Sequence, residues 1–204
     1  MGKEEGSIMG MLKKGIDRIF RRQAISAAYY GLLKNQSDRR KVKKSKANNV
    51  LVADRKIFAY KRGFVIKDEN YHKIFVIKRQ AISGLNATMK IYDLEKNAFA
   101  SVTRKPSFFS GRAEYDLYIK EEYFGTIYQK DRVNPKMSFP LLGWTIEGNF
   151  ARGGFKAYDR NNVTTVRIRT ANLGYDTYVI EYDDEDDELF ALFILMTVEL
   201  AYHK

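Results

Sequence analysis

Near its C-terminus the chain runs Leu189-Phe-Ala-Leu-Phe-Ile-Leu-Met-Thr-Val198 and continues through Glu199 to Tyr202, apolar on nearly every side. A helix of this composition has no solvent face, so the rest of the chain must surround it. About 14 helical residues at ~1.5 Å each reach roughly 21 Å, short of the ~30 Å core of a bilayer, which argues against a transmembrane span. An acidic run, Asp183 to Glu188, precedes it. Carboxylates in a first turn complement the helix dipole, so the run reads as the N-terminal cap of a helix over about 187–202. It does not read as a calcium loop: the sixth position is not Gly, and Ile194 stands where the twelfth-position Glu belongs.

What lies before the helix is almost all short strands. Tyr115, Leu117 and Ile119 alternate with Glu114, Asp116 and Lys120, and Val166 and Ile168 alternate with Thr165, Arg167 and Arg169. Trp144, Ile146 and Phe150 do the same, and further strands are expected at 57–61, 63–67, 72–79, 88–92, 97–104, 123–129, 154–159 and 175–182. Fourteen Tyr, 13 Phe and only three Pro suit such a fold. An internal repeat runs through it: Asp68, Asp93 and Asp159 each end a short apolar strand, and Arg79, Arg104 and Arg169 follow 11, 11 and 10 residues later. These read as copies of one hairpin with Asp in the turn. Roughly a dozen antiparallel strands that close on themselves leave a lumen wide enough for a helix of ~10 Å diameter. The expected architecture is therefore a mainly β, closed barrel of about twelve strands over residues 50–204, with the C-terminal helix inside it.

Residues 1–49 are different in kind. Ile8, Leu12, Ile16, Ile19, Phe20, Ala24 and Ala27 fall at helical spacing, with Lys13, Lys14, Asp17, Arg18, Arg21 and Arg22 on the remaining arc, followed by a polar linker that carries Arg39, Arg40, Lys41, Lys43 and Lys44. Residues 1–50 hold 13 Lys/Arg against 4 Asp/Glu, a net of +9, while residues 51–204 hold 23 against 21, a net of +2. The basicity belongs to the arm, and its expected partner is an anionic membrane surface or a nucleic acid. Docking of the apolar stripe on the barrel is the other reading. The N-terminus lacks the apolar run of a secretory leader, and Gly6 stands where a myristoylation pattern wants Ser or Thr, so a cytoplasmic location, peripheral to membrane, is expected. With no cysteine, disulfides, thiolate catalysis and cysteine-held zinc are excluded.

The segments Met89-Lys-Ile-Tyr-Asp93, Phe99-Ala-Ser-Val-Thr-Arg-Lys105, Tyr115-Asp-Leu-Tyr-Ile119, Gly143-Trp-Thr-Ile-Glu-Gly148 and Asp176-Thr-Tyr-Val-Ile-Glu-Tyr182, followed by the acidic run and the apolar helix, resemble the LURP-one-related family. That family lies within the tubby C-terminal-like superfamily, which also holds the phospholipid scramblases. The resemblance covers roughly residues 55–204 and implies a twelve-stranded barrel around a hydrophobic helix. It also implies phosphoinositide binding of the kind tubby proteins perform through a Lys-x-Arg segment. The nearest counterpart here is Lys78-Arg79, without the intervening residue, upstream of Lys90.

No phosphate loop, dinucleotide fingerprint or nucleophile elbow is present, and His72 and His203 have no partner at metal-ligand spacing. The chain is therefore expected to have no catalytic residues, metal or cofactor. Two basic groups remain: the arm, and the hairpin-end cations Lys78, Arg79, Arg104, Lys105, Arg167 and Arg169, to which the resemblance adds Lys90. The hairpin-end set reads either as solvated strand-end charges or as converging ligands for a phosphate. Three functions follow: a module binding anionic membrane or a phosphoinositide-type lipid; a nucleic-acid or protein-interaction module acting through Arg39 to Lys46; and scramblase-type lipid handling, which the short final helix disfavours.

Overall fold

The computed structural model describes residues 49–58, 61–81, 87–105, 112–130, 136–149, 154–171 and 177–202, so the basic arm lies outside the described residues. Twelve strands follow one another: β1 (Asn49–Phe58), β2 (Lys61–Lys67), β3 (Lys73–Ala81), β4 (Ala87–Tyr92), β5 (Ala98–Lys105), β6 (Ala113–Ile119), β7 (Glu122–Gln129), β8 (Met137–Phe139), β9 (Trp144–Asn149), β10 (Gly154–Tyr158), β11 (Thr164–Thr170) and β12 (Thr177–Tyr182). Each pairs antiparallel with its neighbours in sequence, and β1 pairs with β12 through Leu51 opposite Ile180, closing the barrel. Closure leaves no unpaired edge to recruit another chain.

The closing helix, α1 (Glu188–Tyr202), fills the lumen, and every residue from Leu189 to Leu200 is buried. Period-two alternation in the strands supplies the matching surface. Ile77 and Ile91 face each other across β3 and β4 and are fully buried, as are Val102 and Leu117 across β5 and β6. At the end where the helix enters, the Phe190 ring lies 5.8 Å from that of Phe124, 6.3 Å from Phe139 and 5.9 Å from Trp144. Each large side chain buried this way stabilises the fold by roughly 1.5–3 kcal/mol.

The repeat seen in the sequence is one hairpin used three times. In each copy the aspartate carboxylate accepts backbone N–H bonds from the turn: Asp68 from Asn70 and His72, Asp93 from Asn97, and Asp159 from Asn161 and Val163. The residue three positions on takes a left-handed backbone in all three, at Tyr71, Lys96 and Asn162 with φ of 63°, 71° and 62°. The register shifts at the same place just before each aspartate, between Ile66 and Lys67, Ile91 and Tyr92, and Ala157 and Tyr158. Aspartate satisfies the turn amides that no ladder reaches, and this is why it recurs.

These hairpins gather at one end of the barrel, hereafter the turn end, formed by residues 68–72, 93–97, 120–121, 140–143 and 159–163 and by the segment 183–187 that leads into α1. The opposite end, the loop end, receives the last turn of α1. Asn49, where the arm joins, sits at the turn end: it is opposite Tyr182, and its side-chain amide donates to the carbonyl of Asp183.

Three details depart from the sequence reading. The strand expected at 57–61 is divided between β1 and β2, and β1 begins eight residues earlier. The three-residue β8 was not foreseen. The helix starts at Glu188, because a 3-10 turn over Glu185–Asp187 comes first, capped by the Asp184 carboxylate accepting from the Asp186 N–H.

Within that cap, half-burial and then the neighbouring carboxylates of Asp184, Asp186 and Asp183 push the Asp187 carboxyl up from 3.8 to about 6. A carboxyl whose folded pKa exceeds its unfolded value adds stability below the unfolded value and loses it as pH rises through the folded one. Asp187→Asn is therefore expected to raise the melting temperature at about pH 7.5 and to leave it nearly unchanged below about pH 4, measured by thermal denaturation at the two pH values.

Candidate anion-binding surface

Lys78 on β3 and Lys90 on β4 are cross-strand partners on the outer wall. Their other neighbours in the same row are small, Gly63 beside Lys78 and Ser101 beside Lys90, so neither ammonium faces a carboxylate across the ladder. Like charges placed directly opposite destabilise a sheet, and an anion lying between them removes that penalty. The wall beneath is fixed. Gln80 donates to the Tyr92 hydroxyl at 3.0 Å, the hydroxyls of Thr88 and Thr103 share a bond at 3.0 Å, and the Lys78 ammonium lies 5.1 Å from the centre of the Tyr92 ring. Among the described residues no ion pair ties up either lysine.

The remaining hairpin-end cations divide by the pleat of the sheet. Arg79 pairs with Met89 and Arg104 with Tyr115, both fully buried core residues, which puts the two arginines in lumen-side register near the loop end. Lys105 is on the outside but bonds the buried Asp116 at 2.5 Å, and that bond raises its pKa. Arg169 bonds the buried Glu181 at 2.6 Å, and Arg167 stands opposite the same glutamate across β11 and β12. Of the seven residues, then, Lys78 and Lys90 come together as a pair with no ion-pair partner among the described residues, Lys105 and Arg169 are held by carboxylates, Arg167 stands opposite Glu181, and Arg79 and Arg104 belong to the lumen side. Lys13, Lys14, Arg18, Arg21, Arg22, Arg39, Arg40, Lys41, Lys43 and Lys44 lie outside the described residues.

One ionic contact was not foreseen. Arg55, in lumen register on β1, donates to the Glu199 carboxylate of α1 at 2.8 Å and to the Tyr178 hydroxyl at 2.5 Å, with its guanidinium 5.8 Å and 5.6 Å from the ring centres of Phe64 and Tyr178. A glutamate inside an otherwise apolar helix was the available signal.

A family model described as LURP-one-related matches residues 49–199. The chain belongs to the LURP-one-related family. The matched span begins on the first residue of β1 and ends on Glu199, so it contains the whole closed barrel and the lumen ion pair and leaves out the arm. No curated protein and no solved structure gives a match. In this LURP-one-related barrel the charge is sharply divided. The six connecting segments of the turn end carry eleven carboxylates against three Lys/Arg, a net of −8, which leaves the rest of residues 51–204 at +10. The outer wall that carries Lys78 and Lys90 is therefore part of a basic body with one acidic end.

Proposed function

We propose that the protein is a non-enzymatic, tubby-like module that associates with anionic membrane from the cytoplasmic side, holding a phosphorylated headgroup between Lys78 and Lys90 and using the basic arm as a second contact. The observation that carries this reading is the cross-strand register of two lysines with no carboxylate facing them. Charge-assisted bonds from both ammonium groups to one phosphate suit that spacing. The division of charge supports it, because the basic wall would approach an anionic surface while the turn end is kept away. Tubby proteins, within the superfamily that the sequence resembles, bind phosphoinositides through a Lys-x-Arg segment and neighbouring basic residues of the barrel, which also supports it. Among the described residues no helix is long and apolar enough to cross a membrane, so the contact proposed is peripheral.

Flotation with phosphatidylcholine vesicles, with and without a phosphoinositide, is the test. Each lysine near an anionic surface contributes ~1 kcal/mol, so Lys78→Ala/Lys90→Ala is expected to weaken vesicle binding about thirtyfold. Removal of residues 1–48 is expected to weaken it further, in a salt-sensitive way. Recovery that is equal for all three proteins would end the lipid reading. Binding to RNA or DNA that falls steeply with salt and needs only Arg39 to Lys46 would replace it with the nucleic-acid one.

A further inference from the structure

The described residues leave six large apolar side chains exposed, and five of them are at or beside the hairpin tips of the turn end. Tyr71 is 36% exposed, Leu94 57%, Tyr123 61%, Leu141 53% and Val163 56%, one for each of the five hairpins. Single exposed apolar residues are ordinary, but four at the tips around a single mouth, with Tyr123 on β7 beside the fifth, make a surface. That surface is set among the eleven carboxylates of the turn end. An anionic membrane is thereby repelled from it, and a purely apolar partner would strand the charges.

We infer that the turn end is the docking site of this chain's own N-terminal segment, residues 8–33, for which the sequence predicts an amphipathic helix. Three observations select that occupant. Its apolar stripe, Ile8, Leu12, Ile16, Ile19 and Phe20, answers the apolar tips, and its lysines and arginines answer the carboxylates: residues 8–33 carry a net of +4 and the whole arm +9, against −8 on the mouth. The arm is also tethered at the right place: it joins the barrel at Asn49, on the rim of the turn end and bonded to Asp183 at the head of the acidic segment. Finally, the lengths agree. The linker 34–48 extends to at most ~50 Å, enough to fold the helix back over its own attachment point. A helix of this length is about 39 Å long, against a twelve-strand mouth roughly 20–25 Å across, so it can lie across the whole mouth. The tether keeps the arm at high effective concentration there, and modest contacts suffice to hold it. An arm held on the turn end is masked from any other anionic surface, which makes docking and release a competition between the mouth and that surface.

The inference stands whether or not the lipid reading does, and its test needs no lipid. The chain has no cysteine, so Ser26→Cys gives a single spin-label site in the arm of the full-length protein. At low salt the amide signals of Leu94, Lys96 and Val163 are expected to lose at least half their intensity, with Gln129 and Thr170 near the loop end little changed. Glu121→Lys/Glu185→Lys/Asp186→Lys, all at exposed positions, is expected to restore the turn-end signals while the signals of the lumen residues stay at their wild-type positions, as is high salt. Broadening that is uniform over the barrel, or strongest on the outer wall, would overturn docking at the mouth. Equal broadening in a mixture of labelled and isotope-enriched copies would overturn docking within one chain.

Discussion

Phe193→Asp is expected to leave no cooperatively folded protein, whereas Leu94→Asp at an exposed hairpin tip is expected to shift stability by no more than about 0.5 kcal/mol. Phe193 is fully buried on α1, with its ring 6.4 Å from that of Phe124, and residues on both sides of it along the helix are buried as well. Truncating a buried Phe costs about 3–5 kcal/mol before any charge is considered, and enclosing an unpaired carboxylate adds several more. The sum is comparable with the whole 5–15 kcal/mol of an ordinary domain. The barrel has no independent way to survive the loss of its plug, because the inward faces of the strands would then line an empty lumen. Far-ultraviolet dichroism and urea denaturation of the purified variants read the difference. A soluble Phe193→Asp protein with a wild-type unfolding midpoint would mean that α1 is not enclosed.

The features legible in the sequence are those whose signal lies within one short segment. The plug helix declared itself because Leu189 to Leu200 offers no polar face. The hairpins declared themselves because Asp68, Asp93 and Asp159 bring a turn requirement that recurs. The start of β1 is hidden in the sequence because both of its faces break the alternation. Val52 points outward yet is buried in a small outer cluster with Val179, and Arg55 points into the lumen. The anion surface was only half legible. Lys78 and Arg79 are neighbours in sequence, but the pleat sends one outside and the other to the lumen side, and the pairing of Lys78 with Lys90 depends on the register that the bulged hairpins set. Of the apolar, acidic mouth only the acidic run from Asp183 was legible: its other members come from five separate segments, and only closure of the sheet brings them to one end.

The lumen ion pair yields the second large effect. Arg55→Met is expected to destabilise the fold by about 3–5 kcal/mol, because it leaves the Glu199 carboxylate, 2% exposed, without its guanidinium partner. For a domain of this size that loss lowers the melting temperature by about 10 °C. Adding Glu199→Leu is expected to recover most of it, since replacing both members of a buried pair with apolar groups is near neutral or better, whereas removing one member strands the other. A double-mutant cycle measures the coupling directly, as the excess of the two single losses over the double. The sign of the double variant carries structural information. Glu199 lies one turn from the C-terminal end of α1, and a bond from it to β1 fixes both how far the helix enters and how it is rotated. If the pair acts mainly as that register pin, the double variant unfolds at nearly the wild-type temperature but shows broader signals for Met196, Leu200 and the strand residues around them. If Arg55→Met instead leaves the melting temperature unchanged, the loop end of the lumen admits enough water to solvate Glu199. Arg79 and Arg104, on the lumen side of the same end, would then line a wet cavity rather than the rim of a packed core.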